Sequence, residues 1–384
     1  MTRGRVVLAI NSAWNIANFR AGLVRAMQAD GWEVVAMAPR DEHVARVEAL
    51  GCRFVELPMR ADGTNPFADL RLLDRFKRAL RELAPDAFLG YTIKPNVYGS
   101  LAAQGLGIPV INNIAGLGTA FIRRSWLTAV ARTLYRRALR RSHRVLFQNE
   151  DDRKYFVDTG LVAAERSARV PGSGVDLQAF RFADLPPVDG DHPLTFLFVG
   201  RLLRDKGVRE LVAASRQLRA KGVHARFQLL GFVDSANRTA IGADEVAGWE
   251  AEGLVQYLGS TADVRPMLRA AHCVVLPSYR EGVPRTLLEA AAMGRPLIAS
   301  DAVGCRDAVD DGRNGYLART ADADDLARQC LRFAALSGEE RAAMGRASRE
   351  KVEREFDERI VIDTYLTLLR RLEGRQSTTQ HLRA

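Results

Sequence analysis

Apolar runs of strand length alternate with helix-period segments along the first half of the chain. Val6–Ile10 is an uninterrupted apolar run, and a helical pattern extends from Asn18 to Asp30. Glu33–Ala38, Phe54–Leu57, Ala87–Tyr91, Pro109–Ile114 and Arg144–Gln148 repeat the strand signal. Asp41–Leu50, Asp69–Leu83 and Asn96–Gly105 fill helices between them. Such alternation predicts βαβ units and a parallel sheet. It stops at Ala183–Pro193, where Pro, Gly and Asp crowd together; this stretch reads as a linker, with the boundary near Asp189. The pattern then restarts, with strands expected at Leu194–Val199, Arg226–Leu230, Val255–Leu258, His272–Leu276 and Pro296–Ser300. Helical residues run from Glu339 to Leu372, and Glu373–Ala384 reads as a frayed tail. The expected division is 1–188, 189–355 and 356–384.

A chain of 384 residues has room for two cores of ordinary size. No apolar run reaches the roughly 18 residues that argue a membrane span, and the first is too short for a secretory signal. Cys52, Cys273, Cys305 and Cys330 are scattered without metal-ligand spacing, so reduced thiols in a cytosolic protein are expected.

The net charge of +10 points to anionic partners: nucleic acid, phosphate ligands or anionic lipid. The excess is uneven, because residues 123–144 hold eight arginines and no acid. Leu127, Val130, Ala131, Leu134 and Ala138 fall on one helical stripe with Trp126 near its start. Arg123, Arg124, Arg136, Arg137, Arg140 and Arg141 decorate the remainder. That is the pattern of a basic amphipathic helix resting on an anionic membrane. The alternative is a helix packed by its stripe, with solvated arginines. No reading module accompanies the patch, so no nucleic-acid partner is expected.

The candidate chemistry lies mainly in the second half. Gly200-Arg201-Leu202-Leu203-Arg204-Asp205-Lys206-Gly207 follows the run Leu194–Val199. Ligands of open α/β sheets bind beyond the carboxyl ends of the strands. Arg201 offers a planar fork and Lys206 a point charge, and together they can hold a diphosphate. The alternative is a surface loop with solvated cations. A second motif, Glu281-Gly282-Val283-Pro284-Arg285-Thr286-Leu287-Leu288-Glu289, follows the run that ends at Leu276. Tyr279–Pro284 reads as a turn and Arg285–Met293 as a helix. The amino terminus of such a helix offers N–H groups and a positive dipole end to a phosphate or sugar oxygen. Glu281 precedes the helix and Glu289 lies within it.

Together these motifs resemble the donor site of family-4 glycosyltransferases, retaining enzymes of the two-domain GT-B architecture. The resemblance covers nearly the whole chain. It implies an α/β fold of two doubly wound Rossmann-like domains facing a cleft, 1–188 binding the acceptor and 189–355 the nucleotide-sugar. A C-terminal helix would cross back to the first domain near Phe356-Asp357-Glu358-Arg359. Arg201, Lys206 and Glu281 are implied as catalytic. Gly200, Val283, Pro284, Arg285, Thr286 and Glu289 join them in donor binding, with Glu281 on sugar hydroxyls and Glu289 on the ribose. Pro284 departs from the glycine common at that position, and proline has no N–H to offer the sugar. Ile298–Val309 and Asp311–Leu317 look like the family stretch that follows the carboxylate helix, and are read as architecture.

On the acceptor side, Ser12, Asn15 and Arg20 occupy the loop after the first strand, with Asn18 an alternative helix cap. Lys94 can meet an acceptor diphosphate or remain solvated, and Asn113 precedes Gly116-Leu117-Gly118. That glycine pair resembles a subgroup that builds bacterial surface glycans on a lipid carrier. The histidine many relatives carry there is missing between Pro109 and Leu139, which leaves the acceptor-side catalytic group unassigned. The expected reaction moves a sugar, an N-acetylhexosamine, from a UDP-sugar to a polyprenyl-diphosphate-linked glycan at the inner face of the plasma membrane. No cofactor and no metal are expected, since the cations replace it and the donor loop has no Asp-x-Asp pair. A GT-B nucleotide-sugar epimerase and a transferase using GDP-mannose are the alternatives.

Overall fold

The computed structural model describes residues 3–59, 66–116, 126–189, 192–233, 237 and 239–381, and of residues 66, 126–128 and 375–381 the backbone alone. The chain divides into two compact units, Met1–Ser173 with Glu358–Ala384, and Gly174–Asp357.

The first unit runs β1 (Gly4–Ala9), α1 (Ala13–Phe19), α2 (Ala21–Ala29), β2 (Trp32–Ala38), α3 (Val44–Glu48), β3 (Arg53–Glu56), α4 (Pro66–Leu83), β4 (Ala87–Tyr91), α5 (Ser100–Gly105), β5 (Val110–Ile114), α6 (Trp126–Leu139), β6 (Arg144–Phe147), α7 (Glu150–Asp158) and β7 (Ser167–Arg169). The second continues with β8 (Leu194–Val199), α8 (Val208–Ala220), β9 (Ala225–Leu230), α9 (Ala243–Ala251), β10 (Gln256–Tyr257), α10 (Arg265–Ala270), β11 (Cys273–Leu276), α11 (Arg285–Ala292), β12 (Leu297–Ser300), β13 (Gly315–Ala318), α12 (Ala323–Ala334) and α13 (Gly338–Glu355). A last helix, α14 (Glu358–His381), belongs to the first unit.

The sheets have the orders β3-β2-β1-β4-β5-β6-β7 and β10-β9-β8-β11-β12-β13, with every pairing parallel. Both orders reverse beside the unit's first strand, the Rossmann arrangement whose ligands sit beyond the carboxyl ends at the switch point. Helices cover both faces of the first sheet. Val6 and Leu8 enter one apolar cluster while Val7 and Ala9 enter another, which is why β1 reads as a continuous apolar run rather than an alternating one.

The expected parallel strands form, and two short ones, β7 and β13, join the sheet edges without a strong signal of their own. The helix expected over Asn18–Asp30 is instead two helices. Ser12 accepts a hydrogen bond from the Asn15 N–H at 3.3 Å and starts α1 at Ala13, and Arg20 breaks the run with φ −129°. The division by contacts falls at 173/174 rather than 188/189. Val175 and Leu177 join the second unit's core, and Arg295, fully buried, donates to the carbonyls of Ala183 and Asp184, so the Pro/Gly/Asp stretch lies on that unit. The chain end is helical to His381, beyond the expected limit at Leu372. Val361, Tyr365, Leu368, Leu369 and Leu372 are buried in the first unit's core, and Arg3 binds Glu373 at 2.8 Å.

Candidate functional site

Three glycines shape the loops at the carboxyl edge of the second sheet. Gly200 follows β8, and its N–H donates to the Leu230 carbonyl at 2.9 Å. A Cβ on Gly231 would stand 1.8 Å from the Gly200 oxygen. Lys206 closes a 3-10 turn, and Gly207 then turns the chain with φ +74°; a Cβ there would stand 2.1 Å from the Pro277 oxygen. The loop after β8 therefore lies against the loop after β11. The Asp205 carbonyl takes hydrogen bonds from the Tyr279 N–H at 2.9 Å and the Ser278 hydroxyl at 3.2 Å.

This contact brings Lys206 and Glu281 together as an ion pair, with side chains 21% and 15% exposed. Glu281 is itself held from behind. Its N–H donates to the Val303 carbonyl at 2.9 Å, and Gly304, at φ +80°, lies so close that a Cβ would stand 2.2 Å from the Gly282 oxygen. The stretch read as architecture thus supports the carboxylate loop. Arg201 is exposed at the mouth of the first loop.

Pro284 caps α11 with extended backbone, and Arg285 is its first residue. Thr286 donates its hydroxyl to the Val199 carbonyl at 3.2 Å, which fixes the helix start to the end of β8. Val283 packs on the core and Pro284 is buried. Arg285 Nε donates to Glu289 Oε1 at 2.7 Å. Burial pushes the Glu289 carboxyl above its ordinary range, and the Arg285 charge opposes that shift. Gly200, Lys206, Glu281, Thr286 and Glu289 therefore belong to adjoining loops and one helix at a single sheet edge.

Sequence reasoning missed the Tyr279–Glu210 contact, in which the phenol donates to the carboxylate at 2.5 Å. Burial first, and Glu210 after it, push the Tyr279 hydroxyl up to about 12. Nothing in the local pattern marks this pair, because its members sit 69 positions apart.

In the first unit, Ser12 is the cap of α1, and Asn18 instead donates its amide to the Trp14 carbonyl at 2.9 Å. The Asn15 side-chain oxygen is buried without a hydrogen bond. Arg20 is 5% exposed and stacks over the Tyr91 ring, 4.5 Å from its centroid. Lys94 is no solvated lysine: it pairs with Asp69 at 3.1 Å, and Tyr98 donates to the same carboxylate. The side chain of Asn113 is committed to packing, donating to the Tyr365 hydroxyl at 3.1 Å and accepting from Gln148 at 3.3 Å. It ties β5 to the C-terminal helix.

The arginine-rich segment is partly described. Arg123, Arg124 and Leu117–Phe121 lie outside the described residues, as do the side chains of Trp126 and Leu127. In α6 the buried stripe is Tyr135, Ala138 and Leu139, whereas Val130, placed on the apolar stripe by its spacing, is 48% exposed. Arg136 donates to the Thr159 and Gly160 carbonyls at 3.3 Å, capping the end of α7. Arg137, Arg140 and Arg141 are exposed. Because α6 ends just before β6 begins at Arg144, these arginines gather at the amino edge of the sheet, opposite the edge that holds Ser12, Asn15 and Lys94. Among the described residues no helix is long and apolar enough to cross a membrane, and no three His, Cys, Asp or Glu side chains form a metal-ligand cluster.

Residues 16–173 match the family model described as Glycosyl transferase 4-like domain, and residues 193–335 match Glycosyl transferases group 1. The chain is 26% identical over 383 residues to the N,N'-diacetylbacillosaminyl-diphospho-undecaprenol alpha-1,3-N-acetylgalactosaminyltransferase of Campylobacter jejuni, covering 96% of this chain and 99% of that one. It is 30% identical over 207 residues to the putative colanic acid biosynthesis glycosyltransferase WcaL of Escherichia coli, over 52% of this chain and 50% of that one. Among solved structures, the fold is similar to sucrose-phosphate synthase from Thermosynechococcus elongatus, with TM-score 0.78 and 20% identity over 97% of this chain and 99% of that one. It is also similar to Anabaena HepE in complex with UDP and glucose, with TM-score 0.74 and 17% identity over 98% and 100%.

Proposed function

Because the chain belongs to the group 1 and 4-like glycosyltransferases and has their GT-B fold of two parallel-sheet Rossmann-like units, we propose that it transfers an N-acetylhexosamine from a UDP-sugar to a polyprenyl-diphosphate-linked glycan, with retention. The observation that carries this reading is the meeting of Lys206 and Glu281 at the carboxyl edge of the second sheet, where a diphosphate and a sugar would lie side by side.

In this reaction the bond from the anomeric carbon to the β-phosphate oxygen breaks. The new bond to the acceptor hydroxyl forms on the same face, and the acceptor proton passes to the departing phosphate oxygen. Arg201, Lys206 and the amino terminus of α11 stabilise the charge that grows on the diphosphate, the kind of preorganised contact that usually contributes most. Glu281 holds sugar hydroxyls and Glu289 the ribose. The donor assignment draws on the named activity of the Campylobacter relative and on the UDP bound to a structural neighbour.

Ser12, Asn15, Arg20 and Lys94 line the acceptor side, and Asn113 supports it through Tyr365. The lipid carrier places the reaction at the anionic inner face of the plasma membrane, with exposed Arg137, Arg140 and Arg141 supplying electrostatic attraction. The cations take the place of a metal, so turnover should persist in excess chelator; loss in EDTA with rescue by Mn²⁺ would overturn that point. The test of the whole reading is the release of nucleoside diphosphate from a panel of nucleotide-sugars, with and without a lipid-diphosphate acceptor. Release must depend on the acceptor; a UDP-sugar isomerised without one would instead favour an epimerase.

A further inference from the structure

Arg285 is oddly placed for a helix residue. It opens α11, with no acid in the first turn, and a cation there faces the positive end of the helix dipole. Its pairing with Glu289 runs in the weaker direction for an i,i+4 pair, since the acid stabilises a helix better when it precedes the base. Helix stability alone does not account for it. Both side chains are also largely removed from water, at 17% and 13% exposed, where an ion pair needs its remaining lone pairs satisfied to offset desolvation. Arg285 Nε engages Oε1 at 2.7 Å, and no described residue hydrogen-bonds to Oε2. The helix start that carries Arg285 is fixed to β8 through Thr286.

We propose that Arg285 is a positioning residue for nucleoside recognition: it pins one oxygen of Glu289 and leaves the other directed to the two ribose hydroxyls of the donor. This rests on the reading of Glu289 as the ribose ligand. The chemistry recognised is a vicinal diol, from which a fixed, ionised carboxylate accepts more strongly than a freely rotating or protonated one. Arg285 is the charged group that opposes the upward push of burial on the Glu289 carboxyl. Without it the carboxyl takes up a proton at a higher pH, and the diol loses its charged acceptor on the acid side.

The test compares UDP with 2′,3′-dideoxy-UDP by calorimetry, from about pH 6 to 8.5, for wild type, Arg285→Gln, Arg285→Lys and Glu289→Gln. Wild type should prefer UDP about tenfold or more at every pH, as expected for hydrogen bonds to a charged group. Glu289→Gln should lose most of that preference throughout. Arg285→Gln should lose it near pH 6 and regain part of it near pH 8.5, while Arg285→Lys should restore most of it. If Glu289→Gln keeps the preference, the ribose reading itself fails. If Glu289→Gln loses it but Arg285→Gln keeps it at every pH, Glu289 stands as the ribose ligand and the role given to Arg285 is overturned.

Discussion

Lys206 and Glu281 stand 75 positions apart and meet as an ion pair, one on the loop after β8 and the other on the loop after β11. Strand order explains the meeting: β8 and β11 are neighbours, so their carboxyl-end loops are neighbours too. On the proposed function the arriving diphosphate takes over Lys206 and the sugar hydroxyls take over Glu281, so each partner keeps its counter-charge occupied until the donor binds.

Lys206→Ala and Arg201→Ala should each lower turnover by about 10²–10³, the usual effect of deleting one preorganised charge contact. Both variants should still fold, because both residues lie on loops, although Lys206→Ala leaves Glu281 without this partner and should melt lower. Wild-type turnover at saturating donor in either variant would remove the diphosphate assignment.

Much of this edge was legible in the chain. Gly200, Lys206, Glu281 and Glu289 lie in two short motifs, and apolar runs such as Val6–Ile10 marked strands that are buried on both faces. The rest depends on contacts between distant positions. Nothing local to Asn113 says that its amide binds Tyr365 in α14, and nothing local to Lys94 says that Asp69 awaits it. In α6 the apolar spacing finds Ala138 and Leu134, which meet the core, but the buried face turns toward Tyr135 and Leu139 and leaves Val130 exposed, a rotation that spacing alone does not decide.

The two carboxylates should separate in kinetics. Glu281→Gln should mainly lower turnover and relax sugar choice. Glu289→Gln should mainly raise the donor Michaelis constant, because ribose contacts are shared by ground and transition states. Equal turnover losses with unchanged donor affinity would contradict the division of roles.

His272 gives the fold an acid limit. Its Nδ1 accepts the Thr195 N–H at 3.0 Å, and burial holds the imidazole below its ordinary 6.5. The unfolded chain therefore binds a proton at a pH where the folded chain does not. The neutral ring's contribution is complete above about pH 6.5 and declines as pH falls toward the lowered folded value, with a slope of at most about 1.4 kcal/mol per pH unit. Urea midpoints at about pH 7.5 and 5.5 should differ more for wild type than for His272→Asn. An equal difference in both would exclude His272 as the cause.

Attraction to membrane should be electrostatic. The protein should pellet with anionic vesicles at low salt and release as salt screens the charge. Replacing Arg137, Arg140 and Arg141 with Gln should weaken pelleting and leave UDP binding intact; Arg136 is spared because it caps α7. Unchanged pelleting would make these arginines an ordinary solvated face.

Initial rates with each nucleotide-sugar, offered with an undecaprenyl-diphosphate-linked sugar, decide both the donor and the stereochemistry. UDP-GalNAc or UDP-GlcNAc should give the highest acceptor-dependent rate, with the α-anomeric configuration of the donor kept in the product. A faster rate with GDP-mannose would contradict the donor assignment, and inversion at the anomeric carbon would contradict the mechanism.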